Sequence, residues 1–404
     1  MANQSAYPPT VQPGIPKLKI VPEGWTQSSL KNYLIEVKDK VKLEDDKEYD
    51  LVTVKRARGG LVRREHLLGK NISVKSQFLL KEGYFLISKR QIVHGACGIV
   101  PKELDGSIVS NEYSILDSNG KICLEFLKYH SHSVFFQQTC FHSSIGVHIE
   151  KMIFKLDQWF KFKFNLPPLP EQKKIAKILG TWDKAIDKLD KLIDNSKTTK
   201  KALMQQLLTG KKRLPGFTDE WRKIRLAECA NSHDNRRIPL NSSEREKRKG
   251  DIPYWGANGI QGYVDDFIFD ETIVLLAEDG GNFSEFSTRP IANISYGKSW
   301  VNNHAHILMA KENTTNEWIY YSLVHKNILG YVNGGTRAKL NKGDMLKIPM
   351  FLPSITEQKK LTEIFVVQDK EINSLESQRN KLIIEKKALM QQLLTGKKRV
   401  QEEA

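Results

Sequence analysis

The chain has 404 residues, enough for two or three domains with cores of their own, and its 40% hydrophobic and 27% charged content is that of an ordinary globular protein. Against 47 Asp and Glu stand 63 Lys and Arg, a net charge of +16 that favours a polyanionic partner, nucleic acid first, with a membrane surface or an acidic protein as alternatives. There is no run of about 18 apolar residues to span a membrane, and Cys97, Cys123, Cys140 and Cys229 lack CxxC spacing, which fits a reducing cytoplasm better than a disulfide framework.

Residues 1–20, rich in proline and without an apolar signal-peptide core, read as a flexible lead. Residues 21–165 read as one mixed α/β or α+β domain opened by Trp25 and Leu30. Its predicted strands are YDLVTV (49–54), KNISVK (70–75), YFLISKR (84–90) and GACGIV (95–100), and residues 124–140 are helix-like.

A long helix is expected from Glu171 to about Thr209. Pro170 suits its first turn, and Glu171 suits the positive end of its dipole. Ile175, Ile178, Trp182, Ala185, Leu189 and Leu192 recur at the 3-4 spacing of a coiled-coil seam. Gly210 supplies a C-terminal cap and Lys211, Lys212 and Arg213 suit the negative end. At 1.5 Å per residue the rod is roughly 58 Å long, more than a globular core needs.

The pattern then restarts. Trp221 and Leu226 repeat the five-residue gap, and residues 214–350 form a second mixed domain with strands predicted in 262–269, 272–279, 292–297 and 304–310. A second rod, within 351–399, starts with Ser354 and Glu357 at capping-box spacing and carries Leu361, Ile364, Leu375, Leu382, Leu389 and Leu393 on one side. A short tail, 400–404, follows. KKALMQQLLTGKKR occurs identically at 200–213 and 386–399, and the units 166–213 and 352–399 share 25 of 48 positions without a gap. A period of 186 residues is a duplicated half-molecule rather than a solenoid repeat. The expected architecture is therefore two mixed domains alternating with two long helices that pair as an antiparallel coiled coil about a pseudo-twofold. Similar rods carrying dissimilar domains imply one frame presenting two recognition surfaces. The rod length would fix the distance between the two segments they read. The alternative is a non-catalytic coiled-coil scaffold whose basic surface binds other proteins.

Catalytic signatures are missing. There is no GxxxxGK[ST], and the nearest approach to an N/D-P-P-Y/F methyltransferase motif, 165–168, has Leu166 in the way. A nuclease-like D…ExK is assembled from Asp157, Glu171 and Lys173, or from Asp344, Glu357 and Lys359, only by using residues that begin long helices. His130 with His132, and His304 with His306, lack a third ligand at metal spacing. DNA contacts are sought instead among basic and amide residues placed in loops. In the first domain these are Lys55, Arg56, Arg58, Arg63 and Arg64, then Lys89, Arg90, Gln91 and His94, and Asn111 and Glu112. In the second they are Arg236, Arg237, Asn258, Gln261, Asn303, His304, Thr336, Arg337 and Lys339. Arg pairs with guanine O6 and N7, Asn and Gln with adenine N6 and N7, and Glu accepts from cytosine N4. Most Lys and Arg contacts go to phosphate. Arg58 and Arg337 stand out because nearby glycines let the backbone approach closely. Tyr254 and Trp255 are candidates for stacking on bases, though core or wall positions explain them more simply.

The two P-x3-EQKK junctions (167–174 and 353–360), the doubled helix ending in ALMQQLLTGKKR, and the openings GW (24–25) and LPGFTDEW (214–221) resemble the specificity subunits of Type I restriction-modification enzymes. IPYWGANGIQGYV (252–264), LLAEDGGN (275–282), GKSWVNNHAHIL (297–308) and GGTRAKLNKGDM (334–345) resemble target-recognition domains of that family; VSNEYSIL (109–116) is a looser match in the first domain. The resemblance implies a cytoplasmic, non-catalytic reader of a split, asymmetric double-stranded DNA target. It implies no cofactor bound by this chain. The helices would dock two modification subunits that use S-adenosylmethionine, and through them restriction subunits that use ATP and Mg.

Overall fold

Short β-branched and aromatic runs broken by glycine and polar turns build the sheets here. A computed structural model of the chain describes residues 14–18, 20–334 and 338–400. It divides into two units, residues 1–188 with 378–404, and residues 189–377. Each unit therefore owns one mixed domain, the first half of one long helix and the second half of the other.

In the first unit a two-stranded ribbon pairs Thr26–Ser29 with Lys163–Leu166, so the opening of the domain is tied to its exit into the helix. The main antiparallel sheet runs Leu34–Val37, Tyr113–Ser118, Phe85–Ser88, Cys97–Ile99. A five-stranded sheet carries the long hairpin Glu48–Val54 and Leu61–Leu68 at its edge. The second unit repeats the plan. Arg222–Arg225 pairs with Pro349–Leu352, and an antiparallel sheet runs Ala230–Ser232, Ala305–Ala310, Ile273–Ala277, Ala292–Ser295. Its further four-stranded sheet contains Gly259–Val264, Ile252–Gly256, Lys298–Val301 and Phe269–Asp270.

Two local expectations change. Residues 70–75 form no strand: Gly69–Asn71 is a 3-10 turn, closed by the Ile72 N–H on the Gly69 carbonyl. Residues 124–140 hold two helices, Leu124–His130 and Val134–His142, because Ser133 caps the second by accepting from the Phe136 N–H. All four cysteines are free thiols. Burial pushes Cys97 up to about 11 and Cys229 up to about 12, so both are unreactive at neutral pH.

The long helices are Leu169–Leu207 and Ile355–Leu393, each of 39 residues. Ile175, Leu179, Trp182, Ile186, Leu189 and Ile193 form the shielded stripe of the first, at 4-3-4-3-4 spacing. The phase differs from the expected seam: Leu192 is 42% exposed and Ile193 5%. The second helix has Leu361, Phe365, Ile372 and Leu375 in the same phase, but Gln368 and Arg379 where the first has Trp182 and Ile193.

Within each unit the two half-helices run in opposite directions. In the first, Ile175 and Leu179 share a core with Met390, Leu393 and Leu394, and Lys386 pairs with Asp183. In the second, Leu361 and Phe365 share a core with Met204 and Leu207, and Lys200 pairs with Asp369. Tyr129 and Tyr321, one from each domain, donate to the same aspartates at 2.6 and 2.7 Å.

The P-x3-EQKK and GKKR motifs meet in this arrangement. Arg213 forks onto Glu357 at 2.7 and 2.8 Å, and Trp221 Nε1 donates to the same carboxylate at 3.0 Å. Arg399 forks onto Glu171 at 2.9 and 2.7 Å. Glu357 is thus half of the expected capping box: its N–H bonds Ser354 Oγ, but its carboxylate reaches the other helix instead of the cap. The neighbouring glutamines hold the domains to the helix starts. Gln172 accepts from the Cys123 N–H and donates to the Pro167 carbonyl; Gln358 accepts from Thr314 Oγ1 and donates to the Asn313 and Pro353 carbonyls. Gly210 and Gly396, at φ 70 and 71, turn the chain so that these arginines return to the helix pair.

Candidate nucleic-acid interface

The main sheets of the two units can be laid strand on strand. In the first unit Tyr113 pairs with Ser88, and in the second Ala305 pairs with Ala277. One residue further out, the Lys89 N–H donates to the Glu112 carbonyl at 2.9 Å, and the Glu278 N–H donates to the His304 carbonyl, also at 2.9 Å. Both units therefore have the same corner, where the central strand leaves the sheet and its neighbour enters.

The side chains at that corner form a pair in each unit, with polarity reversed. Arg90 forks onto Glu112, with one bond of 2.9 Å from Nη2 and a shorter one from Nε. The hydrogen bond from Arg90 holds the Glu112 carboxyl below the ordinary range, against the upward push of partial burial. At the equivalent positions His304 Nδ1 meets Asp279 at 2.5 Å. An exposed asparagine precedes each pair, Asn111 in one and Asn303 in the other.

Around the first corner, Lys89 Nζ donates to the Asn111 carbonyl at 2.8 Å, and Arg56 Nε donates to Gln91 at 2.7 Å. Arg56 also pairs with Glu150 at 2.5 Å. Lys55, Arg56, Lys89, Arg90, Gln91, Asn111 and Glu112 are thereby gathered from three separate stretches. Around the second corner lies a cavity of about 650 Å3 lined by Asn241, Tyr254, Asn258, Gln261, Asn302 and His304, among others. Asn258 donates to the Gly280 carbonyl at 2.8 Å; Gln261 accepts from Asn302 at 3.2 Å; Asn302 accepts from the His304 N–H at 2.8 Å. Asn258, Gln261, Asn303 and His304 thus converge on one concave, amide-rich surface. The sequence reading missed Asn302 and Asp279. Both lie in segments already singled out, but only the strand register puts them beside His304. Tyr254 is a wall residue, 1% exposed, its hydroxyl bonded to the Leu240 backbone, and Trp255 is half-buried in an apolar cluster.

Several cations expected in loops are placed otherwise. Arg63 and Arg64 lie within the strand Leu61–Leu68, Arg63 paired with Asp50 at 2.8 Å and Arg64 near Glu65 at 3.3 Å. The Arg58 guanidinium points inward, to the Ser131 carbonyl at 2.8 Å and to Gln137, and burial lowers its pKa. Its glycine neighbours serve the turn, in which Ala57 and Arg58 themselves take positive φ of 53 and 58. Arg237 is 17% exposed and braces the fold through Glu278 and the Ala305 carbonyl. Arg236 pairs with Glu271 at 2.7 Å and covers the Phe269 ring, and Lys339 pairs with Glu278 at 3.2 Å. Thr336 and Arg337 lie outside the described residues. The two D…ExK sets are not assembled for metal chemistry, since Glu171 and Glu357 are taken up by Arg399 and Arg213.

A profile described as "Type I restriction modification DNA specificity domain" matches this chain twice, over residues 22–196 and 218–385. The chain belongs to that family. It is 37% identical over 154 residues to a putative type I restriction enzyme specificity subunit of Haemophilus influenzae, a stretch that is 38% of each chain. Its match to the putative MjaX specificity subunit of Methanocaldococcus jannaschii is 28% identical over 255 residues, 59% of this chain and 60% of that one. The chain thus spans 38% and 60% of the lengths of these two relatives. The crystal structure of a Type I restriction-modification S subunit from M. genitalium shares the fold, with a TM-score of 0.63 at 16% identity over 94% of this chain and 99% of that one. A second solved structure, from work on complex assembly and conformational transition of the type I R-M system, has a TM-score of 0.53 at 17% identity, over 93% and 98%. Among the described residues no helix is long and apolar enough to cross a membrane.

Proposed function

We propose that this chain is the sequence-specific DNA-binding subunit of a Type I restriction-modification complex and catalyses no reaction itself. Each unit reads one half of a split, asymmetric target. The long helices pair as an antiparallel coiled coil and set the length of unread DNA between the halves. They dock two modification subunits, through which restriction subunits join. S-adenosylmethionine, ATP and Mg belong to those partners, and the complex works in the cytoplasm. The observation that carries the reading is the recurrence, on equivalent sheets of a duplicated chain, of one polar corner with different side chains. A frame that is the same twice, with contents that differ, fits two unlike half-sites better than one symmetric site.

A titration of duplex binding against salt tests it. Each neutralised phosphate releases counterions, so a footprint of six or more phosphate contacts loses on the order of a thousandfold in affinity between about 50 and 200 mM salt. A flat response would remove DNA as the ligand of the basic surface and favour a protein scaffold.

A further inference from the structure

We infer that the strand-end corner is the base-reading element of each unit: Arg90 and Glu112 match a G·C pair, and Asn258 and Gln261, beside His304, match an A·T pair. The inference rests on the DNA-reading function proposed above and names the residues that carry its specificity.

The hydrogen bonds Lys89 N–H to Glu112 and Glu278 N–H to His304 put a corner at the same place on the equivalent sheet of each unit, so any duplex engaged alike by both units meets them alike. The backbone there is held constant while the side-chain pair changes from cation–anion to anion–imidazole. A contact made only to phosphate has no need for that change, because phosphates are the same at every step.

Each side chain at these corners also keeps hydrogen-bonding capacity of its own. Arg90 spends Nε and Nη2 on Glu112, and Nη1 meets no partner among the described residues. Arg90 and Glu112 are 52% and 43% exposed. A fixed donor beside a fixed acceptor is the complement of a G·C pair in the major groove, where guanine shows O6 and N7 and cytosine shows its N4 amine. In the second unit Asn258 gives its Nδ2 to Gly280, which leaves Oδ1 as an acceptor; Gln261 gives its Oε1 to Asn302, which leaves Nε2 as a donor. An amide acceptor beside an amide donor is the complement of adenine N6 and N7. Arg90 and Glu112 are held by two bonds to each other, and Asn258 and Gln261 by one each, so little side-chain freedom is lost on contact.

Arg63 lies within a strand, Arg236 covers the Phe269 ring and Arg237 lies inside the fold, which suits positioning or bracing.

The test is selection from a randomised duplex library, using the full-length chain together with whatever subunits purify with it. Arg90→Ala should lower the preference for G·C at one position by roughly 5- to 100-fold, with every other position unchanged. Asn258→Ala combined with Gln261→Ala should do the same for A·T at one position of the other half. Retained preference elsewhere in the same experiment shows that each variant is folded. Preferences unchanged at all positions, or weakened uniformly as for a phosphate contact, would overturn the assignment and leave the DNA-reading function standing. A wild-type complex that selects no sequence would overturn that function as well.

Discussion

Arg213→Ala should destabilise the second unit by about 3 kcal/mol, the low end of what is lost when one partner of a buried ion pair is removed. Glu357 is 1% exposed and Arg213 25%, so the truncation leaves a carboxylate in the interior with only the Trp221 N–H to meet it. The guanidinium also lies over the Trp221 ring, 5.3 Å from its centroid, so packing is lost along with charge. For a unit of this size the change corresponds to a fall of roughly 6–12 °C in Tm. Hydrogen exchange read peptide by peptide should show the loss concentrated in residues 189–377. Arg399→Ala, where the arginine is 38% exposed and Glu171 6%, should show a smaller loss confined to the first unit. Equal effects on both units, or none, would mean that the clasp between the EQKK and GKKR motifs does not hold the helix pair.

Lengthening both long helices by one heptad should move the preferred distance between half-sites by about three base pairs. Seven residues add about 10 Å to a helix and return the apolar stripe to the same face, and base pairs stack at about 3.4 Å. Insertion after Lys191 and after Ser377 puts the new turns at positions related by the 186-residue repeat. The half-site sequences themselves should not change, because no residue at either sheet corner is touched. Measured with duplexes of graded spacing, an unaltered optimum would separate the helices from any ruler role, while leaving the readers intact.

The duplication was legible because the repeated segment makes the same contacts twice: Lys200 and Lys386, then Arg213 and Arg399, each find an acidic partner on the other helix. The phase of the stripe was not legible, since Ile178 with Leu179, and Leu192 with Ile193, offer adjacent apolar residues and composition does not say which turns inward. Strand existence was legible where apolar residues interleave with polar ones, as in Glu48–Val54, and where a short apolar run is continuous and buried throughout, as in Ile273–Ala277. Register was not, and the site depends on register: Arg90 and Glu112 are 22 residues apart, and Asp279 and His304 are 25. The glycines around Arg58 suggested an exposed approach to DNA, but a left-handed turn was the reason for them, and the arginine it turns inward closes the Ser131 helix end.

The most direct measurement is a map of methylated bases in the host genome with this gene intact and with it deleted. Deletion should abolish methylation at one split, asymmetric sequence, and replacing only the residues of one corner should change one half of that sequence while the other half and the spacing persist. Methylation that is unchanged at every site after deletion would contradict the proposed DNA-reading function.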